Sequence, residues 1–155
     1  MKTRRILAIL LLICVALLAF VSCGAVGESG DVTVVVENRD GSYTVYKTYL
    51  ENVENKSNGA LGVIENLMAR EENPLVAEVV NSTYGAYVNS IGDLAPDVTK
   101  NEYVSIYTSI EADFSTYEGT NTLEYEGTTL KTAGVGLSSM TVTAGTVILF
   151  RIETY

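Results

Sequence analysis

From Val32 onward apolar side chains recur at every second position, so Val32, Val34 and Val36 share one face of a strand that breaks at Asn38-Arg39-Asp40-Gly41. Asp-Gly suits a hairpin turn needing positive φ. On the return from Ser42 to Leu50, Tyr43, Val45, Lys47 and Tyr49 alternate against Thr44, Tyr46, Thr48 and Leu50, which predicts a hairpin. The period then lengthens. Leu61, Ile64, Leu67 and Met68 fall at spacings of three and four with Ala60 and Val63 beside them, predicting a helix from Asn58 to Arg70, capped by Asn58 and ended by Asn73-Pro74. Gly59 and Gly62 each weaken helix propensity by about 1 kcal/mol, so this helix depends on packing against a sheet.

The remaining pattern is again of strands. Ala86 to Ile91 and Tyr103 to Ile110 are separated by a loop holding Gly92, Asp93, Pro96 and Asp97, and the second strand alternates Val104, Ile106, Thr108 and Ile110 against Tyr103, Ser105, Tyr107 and Ser109. Leu123 to Tyr125 and Thr128 to Lys131 flank Glu126-Gly127, a second hairpin signal. After Ala144-Gly145 the last strand, Thr146 to Glu153, is apolar on both faces near its centre, which places it in the middle of the sheet. The order hairpin, helix, strands predicts an α+β fold, a β-grasp-like mixed sheet with one packed helix, over residues 32–155.

The first 22 residues do not belong to that fold. Lys2, Arg4 and Arg5 precede an unbroken apolar run from Ile6 to Val21, followed by the small residues Ser22-Cys23-Gly24-Ala25. This is the layout of an export signal. The run is shorter than the roughly 20 residues a membrane span needs. Cysteine directly after a small residue at the end of the run fits a lipoprotein signal, with Cys23 acylated and holding the protein to a membrane. Ordinary secretion with a cut after Ala25 is the alternative, because Phe20 stands where such signals usually carry an aliphatic residue. Residues 23–31, with Gly27, Ser29 and Gly30, then read as a flexible tether.

Composition narrows the chemistry. There is no histidine, so Ser-His-Asp and Cys-His catalysis and histidine-containing zinc sites are excluded, and loss of Cys14 with capping of Cys23 leaves no free thiol. No reaction is legible, and a non-enzymatic binding domain is expected. Removing 22 residues that carry three bases and no acids from 155 leaves 133 residues with 19 acids and 7 bases, a formal charge of −12. Nucleic acid is therefore not an expected partner, since phosphate neutralisation needs a basic face.

Several stretches together carry a resemblance: the opening hairpin, the helix Gly59 to Ala69, Tyr84 to Gly92, Glu102 to Thr108, and Gly134 to Leu137 leading through Val142 to Phe150. They are similar to the transcobalamin-like C-terminal domain of bacterial surface proteins, related to the small C-terminal domain of animal cobalamin carriers. The resemblance covers nearly the whole mature chain and implies a β-grasp-like domain with cobalamin as a candidate ligand. Tyr103 stands where the family commonly has tryptophan. Animal carriers enclose cobalamin between this domain and a helical barrel that this sequence does not encode, so the fold transfers more readily than the ligand.

Tyr103 and Tyr107 on one strand face, with Tyr84 and Tyr87 on a neighbouring strand, form a candidate platform for a flat ligand, glycan or peptide. Half-buried strands are also simply rich in tyrosine, so the same residues read first as sheet surface. Asp93 with Asp97, and Glu111 with Asp113, follow no calcium-loop spacing and read as loop acids. Two functions stand at this level: a membrane-anchored extracytoplasmic domain binding a corrinoid or other large ligand together with a partner domain, or a surface interaction module binding protein or glycan.

Overall fold

The structure is a computed structural model that describes residues 26–155; the expected export signal, Cys23 and both expected cleavage positions lie outside the described residues. In chain order the elements are β1 (Asp31–Glu37), β2 (Tyr43–Tyr49), α1 (Gly59–Met68), β3 (Ala77–Ser82), β4 (Gly85–Ile91), β5 (Glu102–Thr108), β6 (Thr122–Tyr125), β7 (Thr128–Thr132) and β8 (Thr146–Thr154). Six strands form one sheet in the order β2-β1-β8-β5-β7-β6, and β3 pairs with β4 in a separate two-stranded sheet. β1 and β8 are parallel, while β1–β2 and β5–β8 are antiparallel. With the helix following the first hairpin, this is the α+β, β-grasp-like arrangement that the pattern predicts.

The pleat explains the layers. Val32, Val34 and Val36 of β1 and Ile148 and Phe150 of β8 face a large apolar cluster shared with α1, β3–β4 and Met140. Their neighbours Val35, Val147 and Leu149 point to the opposite face, into a smaller cluster with Tyr107, Tyr125 and Leu130. Apolar residues on both faces thus hold β8 at the centre, between β1 and β5.

α1 buries Ala60, Val63, Ile64 and Leu67 completely, whereas Leu61 and Met68 lie at the border of that face. The Asn58 side chain does not cap the helix but reaches the Glu65 carboxylate at 3.4 Å. Instead the Met140 carbonyl accepts from the Ala60 N–H at 3.2 Å, so a neighbouring loop supplies what a side-chain cap would. A Cβ at Gly62 would lie 2.3 Å from the Asn55 carbonyl oxygen, so close packing requires the glycine that helix propensity disfavours.

Two expectations are corrected. Val26 to Asp31 is not a free tether: Val26 is buried, bridges Val142 in parallel, and donates to the Lys56 carbonyl, while the Gly27 N–H donates to the Val142 carbonyl at 2.7 Å. An apolar side chain that fills the core makes this stretch part of the fold, which begins at or before Val26 and not at Val32. The strand β3 is an addition, and its pairing makes β4 a member of the small sheet and not a neighbour of β5 within the main one.

Candidate functional site

The tip of the β3–β4 hairpin is fixed by Ser82, whose hydroxyl accepts from the Tyr84 N–H at 3.1 Å and donates to the Gly85 carbonyl at 2.8 Å. That turn projects Tyr84 outward, 89% exposed, and Tyr87 follows on β4 at 46%. Across a gap stands β5, with Tyr103 38% exposed. The floor is closed by Thr132 to Gly136, which is anchored where the Ala133 N–H donates to the Ile106 carbonyl and the Gly134 N–H to the Asp113 carbonyl, both at 2.8 Å. A Cβ at Gly136 would sit 2.9 Å from the carbonyl oxygens of Tyr84 and Ala86, so the glycine lets this floor reach β4.

Together these segments enclose an open groove of about 330 Å³ whose lining includes Tyr84, Tyr87, Tyr103 and Val104 and no charged residue. It continues into a second cavity of about 520 Å³ that shares Tyr87, Tyr103 and Val104 and adds Glu78 and Glu102. Such volumes fall within the range of ligand sites, although a drug-sized ligand is usually more enclosed. Three of the four tyrosines singled out by the sequence therefore come together.

The fourth does not. Tyr107 is fully buried in the smaller cluster, and its hydroxyl donates to the Glu153 carboxylate at 2.5 Å. It shares a strand face with Tyr103, but the β6–β7 hairpin covers only its end of β5, so Tyr107 is core and not platform. Burial, aided by the neighbouring carboxylate, pushes its hydroxyl up to about 12. Glu153 also accepts from Asn121 at 2.9 Å and from Tyr103 at 3.2 Å. Burial alone would raise the Glu153 carboxyl, yet these hydrogen bonds, led by that of Tyr107, hold it below its ordinary value. The Tyr103 ring also lies 6.0 Å from that of Tyr155.

Two of the loop acids, Asp97 and Asp113, have structural duties. Asp97 accepts from the Thr99 N–H at 3.0 Å and pairs with Lys100 at 3.1 Å. Asp113 is buried and accepts from the Thr141 N–H at 2.7 Å, and burial raises its carboxyl. Among the described residues no group of three or more His, Cys, Asp or Glu is placed to hold a metal ion. The sequence reading missed the floor segment, for which the Gly134-Val135-Gly136 run was the available signal, and the open edge of β5.

No family model matches the chain, and no curated protein matches it. A solved structure from Ruminococcus gnavus, described as a proposed metal-binding protein, is similar over 81% of this chain and 98% of its own, at 13% identity and a TM-score of 0.52. At that identity the likeness is one of fold alone.

Proposed function

We propose that this chain is an extracytoplasmic binding domain, held to a membrane through Cys23, that takes its partner in the groove between β4 and β5. The observation carrying this reading is the groove itself: exposed Tyr84, Tyr87 and Tyr103 converge on a trough without charged side chains. Solvent-exposed aromatic rings in a concave apolar setting gain free energy when a partner covers them. The trough is open, which suits an extended or surface-borne ligand better than a small molecule needing enclosure.

A corrinoid is the second reading, favoured by the three tyrosines and by the resemblance to cobalamin-carrier domains. A flat ring could lie against Tyr84 and Tyr87, with a partner domain enclosing its other face.

Both readings are tested on the purified full chain by calorimetric titration with cobalamin and cobinamide and by panels of immobilised peptides and glycans. The binding reading expects Tyr84→Ala and Tyr87→Ala each to weaken whichever ligand binds by about two- to twelve-fold, as stacked aromatic contacts contribute about 0.5 to 1.5 kcal/mol each. No heat with corrinoids up to millimolar concentration removes the second reading. Affinity unchanged in both tyrosine variants would place the site elsewhere. For the anchor, Cys23→Ser is expected to leave the protein unprocessed or released, and a mature N-terminus at Val26 in the medium would overturn lipidation.

A further inference from the structure

The groove has a backbone wall as well as a side-chain one. β5 is bonded along its full length to β8 on one side, but on the other it meets β7 only at Tyr107 and Thr108. Which groups face the open side follows from two bonds. The Ser109 N–H donates to the Val147 carbonyl of β8, so in an alternating strand the odd-numbered residues of β5 turn their N–H and C=O toward β8. The Ile106 carbonyl accepts from the Ala133 N–H on the opposite side, so the even-numbered residues turn theirs toward the groove. The Glu102 N–H is taken by the Asp97 carbonyl. That leaves the Glu102 C=O, the Val104 N–H and C=O and the Ile106 N–H along the groove wall, at the spacing of a sheet ladder, and among the described residues none has a backbone partner.

Accepting the groove as the binding site, as the reading above does, we infer that its occupant is a single extended segment of a partner polypeptide, neutral or basic, which adds as a strand along Glu102 to Ile106. Main-chain pairing to Val104 supplies affinity, and alternate side chains of the segment meet Tyr84, Tyr87 and Tyr103. Charge argues for this occupant. The chain carries 19 acids against 10 bases, the central groove has no charged residue, and its extension adds Glu78 and Glu102. Glu102 is already paired with Arg39 at 2.6 Å, whereas among the described residues the Glu78 carboxylate receives only the Asn89 amide, so an incoming cation has a place at that end. A second copy would bring the same acidic charge, −12 once residues 1–22 are removed, against this one. The β3–β4 tip and the floor segment, moreover, line the same groove as this open edge.

Selection of a random nine-residue peptide library on the full chain, followed by titration of the selected synthetic peptides, tests this. Selected peptides are expected to be extended and neutral or basic. N-methylation at alternate positions should weaken binding ten-fold or more in one parity and leave the other unaffected, because only every second amide of an added strand faces β5. Amide exchange at Val104 and Ile106 should slow on binding. Val104→Pro removes the outward N–H at an edge position where proline is tolerated, and should lose ten-fold or more in affinity while the near-ultraviolet circular dichroism stays native. Should that variant unfold, the N-methylated peptides carry the test on the unaltered protein. Peptides that need Tyr84 yet ignore N-methylation would overturn strand addition and leave the groove reading standing. A library without binders, glycan binding alone, or self-association abolished by Val104→Pro would each overturn the inference. Binding indifferent to Tyr84→Ala, Tyr87→Ala and N-methylation alike would remove both readings.

Discussion

Glu153 receives the hydroxyls of Tyr107 and Tyr103 and the amide of Asn121, and its carboxyl is held below the ordinary 4.5 by those donors against the opposing effect of burial. A carboxyl depressed in the folded state contributes stability that is complete above its unfolded value and is lost as pH falls through the folded one. Denaturant unfolding of the wild type is therefore expected to weaken from about pH 4.5 downward, and Glu153→Gln to lose less over the same interval. Identical pH profiles would refute the role. Tyr107→Phe removes a buried donor to a charged acceptor and should cost about 1.5 to 3 kcal/mol in the same assay at neutral pH. In the sequence Tyr103 and Tyr107 are equivalent, tyrosines of equal parity on one strand. What separates them is the later hairpin Thr122 to Thr132, which covers Tyr107 and leaves Tyr103 at the groove. Parity along a strand carries no information about how far a distant element reaches, so three of the four candidate tyrosines were legible as a group and the fourth was not.

At the level of elements, Leu67→Ala should cost about 2 to 5 kcal/mol, since a fully buried leucine leaves both lost contacts and a cavity. One residue further, Met68→Ala should change stability by less than about 0.5 kcal/mol, because Met68 is 37% exposed. Equal effects in urea unfolding would mean that the helix face is rotated from the one described. Gly62→Ala should destabilise although alanine is the better helix former, because its Cβ would meet the Asn55 carbonyl. The helix and both hairpins were readable because each has one buried face and turn residues at its ends. β3 was not. In Ala-Glu-Val-Val-Asn-Ser no residue is fully buried, so neither face supplies an alternation against which a strand could be recognised. The helix cap was equally hidden, since Asn58 has the right chemistry but the Met140 carbonyl, far along the chain, takes the Ala60 N–H.

Across the whole molecule the sheet curls until its two ends meet. β2 and β6 are opposite edges of the six-strand order, yet the rings of Tyr43 on β2 and Tyr125 on β6 lie 5.3 Å apart in an edge-to-face arrangement at 84°. This curvature lets the short β6–β7 hairpin cover Val35, Val147 and Leu149, with Tyr107, Tyr125, Leu130 and the partly buried Leu123 beside them, so a small cluster protects the middle of that sheet face. If the seam helps to hold that closure, the two rings must be energetically coupled and not merely adjacent. A double-mutant cycle with Tyr43→Ala, Tyr125→Ala and the pair, followed by denaturant unfolding, measures the coupling without the area each ring buries separately. Aromatic pairs in this geometry contribute about 0.5 to 1.5 kcal/mol, and the 48% exposure of Tyr43 sets the expectation at the lower end of that interval. Tyr125→Ala should be the costlier single change, because Tyr125 is 7% exposed and its loss opens the small cluster as well as the seam. Additive single effects would mean that the strand ends touch without supporting each other, and that closure rests on Leu130 and the pairing of β7 with β5 alone.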